Sequence, residues 1–121
     1  MAYNDYLAER VDRVLTEKKA HFFQKKMMGG LIFMVNNKMC IGVDIDKKSG
    51  DDRIMARIGR EEYEAALLEK GCREMDFTGK PMKGFVFIGP DGFDNEEDLE
   101  FWIQMALDFN PEAKASKKRN P

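Results

Sequence analysis

The sequence predicts an α+β domain, a mainly antiparallel sheet of about five strands with helices packed on it in the order α-β-β-β-β-α-β-α. Three observations carry this. A helical apolar period opens the chain, with Leu7, Val11, Val14 and Leu15 recurring at helical spacing. Four short β-rich runs then follow one another with no helix between them, cut only by turn residues. A second helical period closes the chain around Leu99, Trp102, Ile103 and Ala106. A doubly wound parallel sheet needs a helix between most strands, so that architecture is disfavoured.

The first helix is predicted over about residues 4–19, with Asn4 accepting from the amides of the first turn and Tyr3 on the apolar side. Glu9 and Arg13 stand one turn apart on the wet face as an ion pair. From Phe22 the runs FFQKKMM, LIFMV and KMCIGV read as a strand followed by a hairpin. Gly29-Gly30 marks a bulge or sharp bend, and Asn36-Asn37 is a two-residue loop able to enter positive φ. That loop pairs Met34 with Met39, Ile32 with Ile41 and Phe33 with Cys40. Both faces of the hairpin are apolar, which places it centrally or under cover on both sides.

Residues 44–52 form a polar loop, and in RIMARI, residues 53–58, Ile54, Ala56 and Ile58 alternate against Arg53, Met55 and Arg57 as in a half-buried strand. A second helix follows over about residues 60–70, with Tyr63, Ala66 and Leu67 inward and Gly71 as its C-cap. CREMDFTGKPMKG has no sustained period and reads as a loop built around Thr78-Gly79-Lys80-Pro81, leading to the strand Phe85 to Ile88. The last helix is expected to begin at Asp94 or Asn95 and to run to about Phe109; Asp94 as N-cap places Glu97 at capping-box spacing. Phe101 and Met105 fall outside its core arc, one turn apart, as the clearest exposed apolar pair. The domain is therefore expected over residues 1–109, with 110–121 a basic, disordered tail.

With 121 residues, a net charge of -2 and two cysteines, the chain fits one domain without a disulfide framework or a four-cysteine metal site. The near-neutral total divides into -5 on residues 1–109 and +3 on the tail. No field gathers phosphate backbones, so nucleic-acid binding by the domain alone is not expected. The longest apolar run, Leu31 to Val35, is far shorter than the span of about 20 residues that crosses a bilayer. The opening residues resemble neither a secretory signal nor a transit peptide, and a cytoplasmic protein is expected.

No catalytic constellation emerges, and no catalytic, cofactor-binding or metal-ligating residue is assigned. His21, the one histidine, sits at a helix-strand junction, and the serines, Ser49 and Ser116, occupy a polar loop and the tail. Asp44-x-Asp46 departs from a calcium loop because Ser49 and Met55 stand where glycine and glutamate are required, leaving a solvated hairpin connection. Cys40 in a strand and Cys72 after a helix C-terminus lack the setting of a thiolate. What remains is a candidate interaction surface. Lys25 and Lys26 flank Gly29 and Gly30, Lys80 and Lys83 flank the second glycine segment with Phe77 and Met82, and Phe101 and Met105 lie on the last helix.

Five blocks, MAYNDYLAERV, KKMMGGLIFMVNNKMCIGV, IGREEYEAAL, MDFTGKPMKGFVFI and DLEFWIQMAL, occur in order at spacing similar to that in the N-terminal domain of the TfoX/Sxy competence regulators. The resemblance covers about residues 1–109; Met28 departs from it, standing where members usually carry an aromatic. It implies a secretion-chaperone-like α+β domain, and a co-regulator that acts with a cyclic-AMP receptor-type activator at competence promoters. The regulators have a second, helical domain, where this sequence continues as a short basic tail. The resemblance implies no cofactor and no catalytic residue. The leading expectation is a non-enzymatic protein-interaction module connected to transcription, its partner another protein, with a homodimer through the last helix as a further expectation. A small-ligand or weak nucleic-acid binder using the four lysines, and an enzyme with an unfamiliar site, are the alternatives.

Overall fold

In the computed structural model, which describes residues 3–27, 29–76 and 79–114, the chain opens with helix α1, Asp5–Glu17. Asn4 caps it as the sequence requires: its side-chain oxygen accepts from the amides of Tyr6 and Leu7 at 2.8 and 3.3 Å. The same side chain donates to Asp52 at 2.9 Å, which fixes the helix start against the sheet. Leu7, Val11, Val14 and Leu15 are buried, and Tyr3 packs at their edge. Arg10 is buried with them, and Arg13 pairs with Glu96 of the last helix instead of the expected Glu9.

The strands are β1 (Phe22–Met27), β2 (Gly30–Val35), β3 (Lys38–Ile45), β4 (Asp52–Arg57), β5 (Cys72–Glu74) and β6 (Phe85–Ile88). They form one antiparallel sheet in the order β1-β2-β3-β4-β6-β5. The sheet thus has six strands where about five are predicted. The addition is β5, whose three residues are too few for a period to register in the sequence. Gly29-Gly30 is the turn region between β1 and β2, with Met27 opposite Gly30.

At the hairpin, Asn36 and Asn37 hold φ of 52° and 66°, as a two-residue turn matching the strand twist demands. Met34 lies opposite Met39 as predicted, but the ladder then shifts, so that Phe33 faces Ile41 and Ile32 faces Gly42. Cys40 is the extra residue of a β-bulge. Every expected pair beyond the bulge is therefore corrected by one residue. Ile41 and Val43 join Leu31, Phe33 and Val35 on the face that meets the helices, while Ile32, Met34 and Met39 face the other way.

Both faces of the sheet are covered. On one side lie α1, α2 (Arg60–Ala66) and α3 (Glu96–Phe109), contributing Tyr63, Leu99, Trp102 and Ile103 to the main core. On the other, Met75 is buried against Ile32, Met34, Met55 and Phe87, with Met27 and Met39 packed around them. Methionine suits this thin second layer because its flexible thioether fills irregular gaps.

Of the two expected starts, helix α3 takes the later. Asn95 is the N-cap, accepting from the Asp98 amide at 2.8 Å, because the Asp94 carbonyl is taken by Arg10 at 3.2 Å. Helix α2 is shorter than predicted, and the turn after it ends at Gly71, with φ of 78°. The folded unit also passes the expected boundary at 109. Asn110 is buried, donating to the Val35 carbonyl at 3.0 Å and accepting from Asn36 at 2.8 Å, and Ala113 is buried after it. Residues 115–121 of the expected tail lie outside the described residues.

Candidate functional site

An open groove of about 1040 Å³ lies beside α3. One wall is the exposed ridge of that helix. The core positions Leu99, Trp102, Ile103 and Ala106 fix its rotation, which leaves Phe101 44% exposed and Met105 half-buried at the edge of the core. The Phe101 ring rests edge-on against Trp102 at 5.1 Å between centroids. The other wall is the end of β4, the start of α2 and the approach to β6, and it brings Arg57, Arg60 and Lys83 to the groove.

Glycine builds the junction of the two walls. Gly59 holds φ of 86°, open to glycine at little cost, and a side chain there would run into the Phe109 ring. The amides of Ile58 and Gly59 both donate to the Gly84 carbonyl, at 2.8 and 3.0 Å. Arg57 lies 5.3 Å from the centre of the Phe85 ring and donates to the Lys114 carbonyl at 3.1 Å, and burial lowers its pKa.

Of the predicted surface residues, the groove gathers Lys83, Phe101 and Met105. Lys25 and Lys26, being successive residues of a strand, point to opposite faces: Lys25 lies opposite Ile32, on the methionine side, and Lys26 opposite Leu31, on the helix side. Three strands separate β1 from β6, which Lys80, Met82 and Lys83 precede. The four lysines therefore do not make the single patch that adjacency of the two glycine segments would give. Lys80 and Met82 are exposed, and Gly29 and Gly30 serve the β1-β2 turn. Phe77 and Met28 lie outside the described residues. The groove residues that sequence reasoning missed are Arg57, Gly59, Arg60 and Phe109. The glycine directly after the strand RIMARI was the available signal, since it marks a close approach without naming what approaches.

The remaining titratable groups serve the fold. Burial pushes the Cys40 thiol up to about 12, against the opposing charge of Arg57, and burial with Glu69 does the same at Cys72. Neither thiol ionises at neutral pH. Asp46 corrects the expectation of a solvated connection. It is buried, accepts from the Lys48 amide at 2.9 Å and is bound by Arg73, with Arg53 3.9 Å away. The Lys48 amide first, then Arg73, hold its carboxyl at about 2. Arg53 grips Asp44 through two bonds of 3.0 and 2.8 Å and lies 3.7 Å over the Phe87 ring. The Tyr63 hydroxyl is buried, and burial first, then the neighbouring charge of Glu74, raises its pKa. Among the described residues no group of three or more His, Cys, Asp or Glu is placed to hold a metal ion, and no helix is long and apolar enough to cross a membrane.

The family model described as the TfoX N-terminal domain matches residues 17–110, from the end of α1 to the buried Asn110. A crystal structure of a protein from Pseudomonas syringae is similar in fold, with a TM-score of 0.58 at 11% identity, over 82% of this chain and 93% of that one. No curated protein matches the chain.

Proposed function

The chain belongs to the TfoX N-terminal domain family, and from that premise we propose that it is a non-enzymatic protein-interaction module of the cytoplasm, acting as a co-regulator of transcription through the groove beside α3. The observation that carries this reading is the exposure of Phe101, with Met105 one turn on, in a groove about as long as the helix itself. A large ring at the centre of a concave, mixed-charge surface is the usual anchor of a polypeptide contact. The family contributes the transcriptional setting.

The test replaces Phe101 with a photoreactive benzoylphenylalanine in living cells, and compares transcripts between wild type and Phe101→Glu. Cross-linking to a polypeptide, together with a transcript change in the variant matching that of gene deletion, supports the reading. Absence of any cross-link, or unaltered transcripts in the deletion strain, overturns it.

A further inference from the structure

The ridge wall of the groove is acidic, and the facing wall is mixed but holds most of the bases. The α3 ridge carries Glu97, Glu100 and Asp108, while Arg57, Arg60 and Lys83 stand on the facing wall. Glu61 and Glu62 accompany those bases, and the whole groove holds six acids and five bases. A polyanion or a polycation would meet as much repulsion here as attraction. The surface that fits is one with an acidic ridge to set against the basic wall and a basic wall to receive the acidic ridge. A second copy of this chain, turned about a two-fold axis, presents that pattern.

The placement of the apolar pair agrees. Helix α3 has 14 residues, and Phe101 and Met105 straddle its midpoint. Two such helices laid antiparallel over a length of about 21 Å bring Phe101 of each onto Met105 of the other. The same arrangement carries Glu97 and Glu100 toward the end of the second groove where Phe109 meets Gly59, the end at which Arg60 and Lys83 are placed. An apolar centre with a charged rim is the anatomy of a protein interface.

We propose that the chain forms a homodimer in which the α3 ridge of each copy docks in the groove of the other. The proposal rests on reading the groove as a polypeptide-docking surface. It is tested on the purified full chain by sedimentation equilibrium from micromolar to millimolar concentration. Wild type is expected to show a monomer-dimer equilibrium, and Phe101→Glu to raise its dissociation constant by about tenfold or more. Glu100→Lys and Lys83→Glu are each expected to weaken the dimer, and their combination to restore it. All these side chains are exposed, and circular dichroism confirms that each variant folds. A monomeric wild type at millimolar concentration overturns the proposal, as does a dimer indifferent to all the substitutions. The two readings separate through the cross-linker at position 101. If the purified chain is monomeric and the cross-linker captures a different protein in cells, the dimer fails and the docking reading stands. If it captures nothing in either setting, both fail.

Discussion

Arg10 of α1 reaches Glu96 at the start of α3, with Nε 2.8 Å from Oε1, while its Nη2 donates to the Phe93 carbonyl at 2.9 Å. One guanidinium thus ties the first helix to the cap of the last across most of the chain. Its side chain is 9% exposed, so losing it uncovers buried carbonyls that water does not reach. Arg10→Ala is expected to lower stability by about 2–3 kcal/mol, measured by urea unfolding at pH 7. Glu96→Gln, on the wetter side of the pair, should cost clearly less.

Glu96 has its carboxyl held below the usual range by hydrogen bonds from Arg10 and then Arg13, and Asp46 sits at about 2 against an ordinary 3.8. A depressed carboxyl contributes stability that is complete above its unfolded value and disappears as pH falls through its folded one. For Asp46 that loss falls between pH 3.8 and about 2. Unfolding midpoints recorded across this range should therefore fall with pH in wild type, and more gently in Asp46→Asn. An identical slope in the variant would mean that the contacts with Lys48 and Arg73 do not matter to folding.

The bulge at Cys40 gives the sheet its two-sided register. Inserting one residue after Cys40 would shift the ladder again, setting Ile41 opposite Ile32 and turning Ile41 and Val43 from the main core to the methionine side. The insertion is expected to abolish the cooperative thermal transition. Cys40→Ala, which keeps the residue count, should cost only about 1–2 kcal/mol as a small buried truncation. Comparable loss in both variants would argue that the thiol, and not the residue count, holds the register.

Cys40 also shows where the sequence stopped being legible. Helices α1 and α3 were readable because their apolar periods are long, and the turn at Asn36-Asn37 because two positive-φ residues are needed together. A bulge changes no composition, and both faces of the hairpin are apolar, so KMCIGV reads equally well in either register. Strand β5 is invisible for want of length, and exists because β6 offers it an edge. The capping register of α3 hung on Arg10, which lies 84 residues from the Asp94 carbonyl it binds and looks in isolation like any other surface arginine. The groove was half legible: Phe101 and Met105 followed from the helical wheel, whereas Arg57, Arg60 and Lys83 meet them only through the order in which β6 returns beside β4.

Gly59 and Phe109 close that groove at one end, and their contact makes a final prediction. At φ of 86° any other residue is strained, and at this position its Cβ would also strike the Phe109 ring. Gly59→Ala should therefore destabilise by about 2–4 kcal/mol in thermal or urea unfolding, combining backbone strain with the displaced ring. Phe109→Ala removes the obstacle but not the strain. In that background the same Gly59→Ala change should cost about 1–2 kcal/mol, and the difference between the two costs measures the ring contact. Equal costs in both backgrounds would show that the backbone conformation alone demands glycine, with the ring free to move aside.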